Sequence, residues 1–371
     1  MLNFSTKENG LFSKLISPFI VEICFINISK MKNKETVLVT GGSGFIACYC
    51  MITLLNNEYK VKATLRSLKK SELVKKMLQE GGIHSFEDLS FAEADLLDEK
   101  SWERAAEGCQ YVIHTASPTP HTDAETEDDF VTPAKNGLLF VMRAAKKAGV
   151  KRVVLTSAFG AVSYGTIKNT PYTEEDWTII NDTVFPYQRS KTISEKAAWD
   201  FIKNEGNGME LSVVNPTTVM GPVLSEDYAH SIQIIRQMLN GKMQGCPKLI
   251  TGYVDVRDVA DLHYKALTMA EANGQRFIAV GGEALSMLEV AQVLRKNLGK
   301  VADKTPTKEL PNWVIRLLAV FNPKIKMIVP HWGLVKRASS EKAKTLLGWK
   351  PRSAEEAILA TAESLIRFNQ I

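Results

Sequence analysis

The stretch VLVTGGSGFIA (Val37–Ala47) passes from a β-branched run to the start of a helix through Gly41, Gly42 and Gly44. A turn this tight leaves backbone N–H groups bare at the positive end of the helix, where an anion can sit. Glycine makes the turn and lets the backbone approach such a ligand, and Ala47 falls where a small residue allows close helix–strand packing. The pattern needs a second strand within about thirty residues, and KVKATLR (Lys60–Arg66) supplies it.

From Thr36 the chain alternates between short β-branched runs and longer helical stretches. After TVLVT (Thr36–Thr40) and Lys60–Arg66 come LSFAEADL (Leu89–Leu96), QYVIHTAS (Gln110–Ser117), KRVVLTSA (Lys151–Ala158) and ELSVVNP (Glu210–Pro216). This rhythm predicts an α/β fold, a Rossmann-type doubly wound parallel sheet with ligands at the carboxyl ends of its strands. After Gly221 the rhythm breaks into helix-like segments at Ser231–Leu239, Leu285–Leu298 and Pro311–Phe321. The strand-like piece Thr251–Leu267 is expected to return to the main sheet. The expected organisation is a dinucleotide-binding domain over 34–220, joined by 250–272. A smaller, mostly helical substrate-binding region then covers 221–249 and 273–371.

Residues 1–33 look foreign to this pattern. LISPFIVEICFINI (Leu15–Ile28) is apolar, but Pro18 and Glu22 interrupt it, and it is shorter than the roughly twenty residues of a membrane span. No small-residue cleavage site follows it. The segment is expected to be an extension outside the fold, with a start codon set too early as one account. The full chain is 45% hydrophobic, ample for a buried core. Its net charge of +5 is spread without a basic run, so nucleic acid is not an expected partner. Five scattered cysteines without a CxxC pair read as reduced thiols of a cytoplasmic protein, and six histidines show no metal-binding spacing. The expected protein binds no metal and no membrane, and is a monomer or homodimer.

A dinucleotide at the glycine turn would rest on Gly41, Gly42, Ser43, Gly44, Phe45 and Ile46. A site for NAD usually has an acid at the end of the second strand. Here TLRSLKK offers Arg66, Ser67, Lys69 and Lys70, which suit the extra 2′-phosphate of NADP. Lys69 and Lys70 also fit a plain solvated helix start. Asp95 and Leu96, closing the third strand, could frame the adenine, or Asp95 could cap the next helix.

FPYQRSKTISEKAAW (Phe185–Trp199) then gains a purpose. Tyr187 and Lys191 are one helical turn apart, so they share a face. Hydride transfer to a carbonyl builds charge on oxygen and needs a proton donor. A phenol near pKa 10 serves poorly at neutral pH unless shifted. The expectation is that Lys191 lowers the Tyr187 pKa and also holds the nicotinamide ribose.

The order TGGSGFIA, ADL, HTASP, KNG, VVLTS, YQRSK and NPTTVMGP resembles the extended short-chain dehydrogenase/reductases. It is most similar to their dihydroflavonol reductase-like group of aldehyde and ketone reductases. The tail ASSEKAKTLLGWKPRSAEEAI (Ala338–Ile358) is similar as well, so the resemblance spans about residues 34 to 368. It implies NADP(H), a small-molecule carbonyl substrate, a Tyr/Lys pair with a helper serine, and a pocket under the C-terminal segment. It also implies that Thr115, Ala116 and Ser117 border the cofactor and that Pro216, Thr217, Thr218 and Val219 lie along the nicotinamide. Asn136 would hold the neighbouring helix or a water.

One departure matters. The group usually has two consecutive serines at the end of the fifth strand, the second bonding the substrate oxygen; here that second position is Ala158. Ser157 is the expected catalytic serine, although neighbours on a strand face opposite ways, and Thr156 and Ser163 are other candidates. A sugar-nucleotide epimerase or dehydratase, or a non-catalytic NADP sensor, would share the architecture; Arg66 argues against the first and the Tyr/Lys pair against the second. Further expectations are bland. DAETEDD (Asp123–Asp129) reads as a solvated loop. His114 reads as packed, and His121 is left open. Asp255, Arg257 and Asp258 read as structural ion pairs, and Trp313, Trp332 and Trp349 as core or domain contacts.

Overall fold

The computed structural model describes residues 34–118, 127–226, 230–321 and 329–371. The expectations for residues 1–33, His121 and most of the acidic stretch lie outside the described residues.

The strands are β1 Thr36–Thr40, β2 Lys60–Leu65, β3 Leu89–Glu93, β4 Tyr111–His114, β5 Arg152–Thr156, β6 Glu210–Pro216, β7 Thr218–Met220, β8 Ile250–Thr251, β9 Tyr253–Asp255, β10 Arg276–Ala279 and β11 Leu285–Ser286. Helices α1 Phe45–Asn56, α2 Ser71–Glu80, α3 Glu99–Ala106, α4 Glu127–Lys147 and α5 Pro186–Glu205 follow β1 to β5 in turn. Then come α6 His230–Leu239, α7 Val256–Thr268, α8 Met287–Leu298, α9 Asn312–Phe321, α10 Glu341–Leu347 and α11 Ala354–Arg367.

Seven strands form one parallel sheet in the order β10-β6-β5-β4-β1-β2-β3. The winding direction reverses between β1 and β4, which opens a crevice at their carboxyl ends. Side chains alternate across β1: Val37 and Val39 pack toward α1, α2 and α7, while Leu38 packs toward Trp102, Leu138 and Phe201 on the other face. Burial on both faces explains why these strands read as continuous apolar runs.

The returning strand differs from expectation. Tyr253–Asp255 pairs with β7 in a separate two-stranded sheet, and the chain turns at once into α7. Asp255 caps that helix by accepting from the Arg257 N–H. The seventh strand of the main sheet is instead Arg276–Ala279, within the stretch expected to belong to the substrate region.

Beyond β7, helices α6, α8 and α11 share a second core of Ile232, Ile235, Val290, Leu294, Ile358 and Leu365. Ser286 and Ser353 form capping boxes with Glu289 and Glu356, each satisfying N–H groups the helix cannot. Asp255 pairs with Arg257 at 2.7 Å and Asp258 with Arg352, the structural role expected of them. Trp349 is a core residue at 1% exposure, but Trp313 is 68% exposed, beside Leu317 and Val320 on the outward side of α9. Trp332 is half-buried and donates to Asn312. No helix among the described residues is long and apolar enough to cross a membrane.

Candidate active site

The glycine turn closes on itself and on the neighbouring strands. Gly41 has φ +67°, a conformation that favours glycine. The Gly44 N–H donates to the Gly41 carbonyl at 2.8 Å, and the Gly42 N–H to the Thr64 carbonyl at 2.8 Å. A Cβ on Gly42 would stand 2.9 Å from that of Ala63, and one on Gly41 would stand 3.1 Å from the Ala116 Cα. Gly44 is the N-cap of α1 and supplies no side-chain cap, so the first N–H groups of the helix remain available to an anion. Ser43 and Gly44 are exposed, and Phe45 and Ile46 half-buried.

Thr40 joins this turn to β4. Its Oγ1 accepts from the N–H groups of Thr115 and Ala116, at 3.1 and 3.0 Å. With both acceptor sites used, its proton is left for Nδ1 of His114, 2.9 Å away. His114 is buried, and burial pushes its pKa down to about 3, so it is neutral and packed as expected. Thr115 Oγ1 donates to the Thr40 carbonyl, which holds Thr115, Ala116 and Ser117 along the β1/β4 crevice, each half-buried.

Several strands end earlier than their apolar runs, which puts the site residues on loops. Arg66 follows β2 and is exposed; Ser67 caps the short turn holding Lys69 and Lys70, which are exposed too. Asp95 accepts from the Leu97 N–H and shapes its own loop, while Asp98 caps α3. Leu96 packs on Gly137 of α4, and Asn136 beside it is exposed. Pro216 ends β6, Thr217 donates to the Ala279 carbonyl, and Thr218 and Val219 in β7 are half-buried.

Tyr187 and Lys191 lie on the first turns of α5, after Pro186 at its start. Lys191 Nζ donates to the Thr156 carbonyl at 3.2 Å and stands 5.9 Å from the centre of the Tyr187 ring. Desolvation pushes the phenol up to about 12, although Tyr187 keeps 36% of its surface exposed, and Lys191 is not among the groups that shift it. Burial lowers Lys191 to about 8, opposed by the charge of Glu195. Desolvation dominates both groups, because the ammonium is turned toward Thr156.

Glu195 sits one further turn along α5 and is fully buried. Its carboxylate accepts from Ser157 Oγ at 2.5 Å, Asn215 Nδ2 at 2.8 Å and Arg276 Nε at 2.6 Å. Arg276 also donates to the Glu174 and Asp176 carbonyls and stacks on Trp177, 3.7 Å away. The hydroxyl proton of Ser157, the expected catalytic serine, is thus donated to Glu195. Thr156 donates to Nε2 of His263 at 2.6 Å, because Nδ1 of that ring must donate to the Val259 carbonyl. Ser163 is fully buried and bonds the Phe159 carbonyl. Ala158 leads into the following turn and presents only a methyl group. The helical spacing Tyr187–Lys191–Glu195 could have drawn attention to Glu195 in the sequence; Arg276 carries no local signal.

The model of the NAD dependent epimerase/dehydratase family matches residues 37–281. A cinnamoyl-CoA reductase, CAD2 of Medicago truncatula, is 34% identical over 338 residues, covering 89% of this chain and 95% of the relative. A (2S)-flavan-3-ol-forming anthocyanidin reductase of Vitis vinifera is 32% identical over 327 residues, covering 83% and 91%. The crystal structure of yeast methylglyoxal/isovaleraldehyde reductase Gre2 complexed with NADPH superposes with a TM-score of 0.74 at 27% identity, covering 91% of this chain and all of that one (100%).

Proposed function

The chain belongs to the NAD-dependent epimerase/dehydratase family, and on that premise we propose that it is an NADPH-dependent reductase of an aldehyde or ketone, with Tyr187 as proton donor. The observation that carries this reading is the placement of Tyr187 and Lys191, one turn apart and anchored by Thr156 at the end of β5. The cofactor side fits NADPH: bare N–H groups at the start of α1 for the pyrophosphate, and exposed Arg66 with Lys69 for the 2′-phosphate.

Bound NADPH supplies the hydride to the carbonyl carbon. Tyr187 gives its proton to the carbonyl oxygen, which becomes the alcohol. Tyr187 carries its proton throughout the neutral range, the form that reduction requires, and the nearby Lys191 charge is what would ease its release. Lys191 stabilises the phenolate left behind and holds the ribose hydroxyls. Glu195 offsets the burial that would strip Lys191 of its charge. Ala158 gives the oxygen no hydroxyl, so Tyr187 is the side-chain donor assigned to it.

The second core shared by α6, α8 and α11 supports reading those helices as the substrate side. Buried free thiols at Cys48, Cys50, Cys109 and Cys246 agree with a cytoplasmic location. NADPH consumption by the purified protein, measured over a panel of aldehydes and ketones, tests the reading. Turnover of any member supports it, and no turnover across the panel contradicts it.

A further inference from the structure

Lys336 stands over Tyr164, and Tyr164 in turn meets Gln188 on the helix that carries Tyr187. The Lys336 Nζ is buried without a hydrogen-bond partner. The ammonium sits over the Tyr164 ring, 2.8 Å from its centre. The Tyr164 hydroxyl is bonded to the amide of Gln188, and Gln188 Oε1 is a second buried atom without a partner. Gln188 adjoins Tyr187 on α5 and packs on Gly160. His331 completes the group, 5.1 Å from the Tyr164 ring and 4.9 Å from that of Phe185, with Nε2 donating to the Thr183 carbonyl. His331 therefore packs beside the start of α5 directly, and Lys336 is linked to that helix through Tyr164.

An unpaired buried ammonium is costly, and a cation–π contact recovers only part of that cost. Burial lowers Lys336 to about 7, with no carboxylate opposing it. A lysine that served packing alone would do better as methionine. An unfilled donor and a rotatable amide, the amide carried by the residue that follows Tyr187, offer polar partners to a ligand.

We propose that Lys336 is a specificity residue of the substrate pocket, its ammonium pairing with a carboxylate carried by the carbonyl compound, with Gln188 as the adjoining polar contact. This rests on the reductase reading above. The natural substrate is then an oxo acid or a semialdehyde acid rather than a neutral carbonyl.

The test uses pairs equal in shape and different in charge: succinic semialdehyde against its carboxamide, and terephthalaldehydic acid against its carboxamide. The wild-type protein should favour the carboxylate of at least one pair by about tenfold or more in kcat/KM, through KM, as a charge-assisted hydrogen bond implies. In Lys336→Met that ratio should fall to near one, and in Lys336→Arg part of it should return. The methionine variant should melt no lower than the wild type. A wild-type ratio near one in both pairs overturns the proposal, as does a ratio unchanged in Lys336→Met. Reduction of the carboxamides alone overturns it while leaving the reductase reading intact. No reduction of any carbonyl compound with NADPH overturns both.

Discussion

Ser157 donates its hydroxyl to Glu195 over 2.5 Å, one helical turn beyond Lys191. That bond places the serine in a buried cluster with Asn215 and Arg276. The cluster braces α5 against β5, β6 and β10, and the Glu195 carboxylate supports the Lys191 cation.

A serine at position 158 should therefore add what the site lacks. Ala158→Ser is expected to raise kcat on a carbonyl substrate by about tenfold, a modest part of the 10²- to 10³-fold attributed to such donors elsewhere. Steady-state kinetics of Ala158→Ser and Ser157→Ala check it. An unchanged kcat in Ala158→Ser, with near-total loss in Ser157→Ala, would return the catalytic role to Ser157.

Arg66 stands exposed at the end of β2, where an acid would select NAD. Arg66→Ala should weaken NADPH binding by about tenfold, or about 1.4 kcal/mol, and leave NADH binding nearly unchanged. Titration of both cofactors reads this directly. Equal losses for the two would remove the discrimination from Arg66.

The pH dependence follows from Lys191 and Tyr187. Lys191 is lowered to about 8, so its charge is present below that pH and lost above it. Tyr187, pushed up to about 12, keeps its proton across the same range. The kcat/KM for reduction, which reports the free enzyme, should be flat near neutrality and fall as pH rises through about 8. A profile that stays flat beyond pH 10, about two units higher, would mean that Lys191 keeps its proton or that its charge is not needed.

Much of this was legible in the residues. The glycine turn, the strand–helix alternation and the Tyr187/Lys191 spacing are local patterns, and each became the expected element. The strand that returns to the sheet was not legible. Tyr253–Asp255 has strand composition but is diverted by the α7 cap at Asp255, whereas Arg276–Ala279 is a short run whose role depends on lying beside β6. The desolvation of Tyr187 was also hidden, because burial is a tertiary quantity. For the same reason Ser157 could not be seen to face Glu195, nor Lys336 to face Tyr164.

The central claim is that Tyr187 delivers the proton that completes carbonyl reduction. The direct measurement is single-turnover oxidation of bound NADPH by Tyr187→Phe, with NADPH affinity titrated on the same preparation. The account predicts near-complete loss of turnover, by about 10²-fold or more, with NADPH affinity close to that of the wild type, since the Lys191 contact is kept. Substantial carbonyl reduction by Tyr187→Phe would contradict it, whatever the affinity showed.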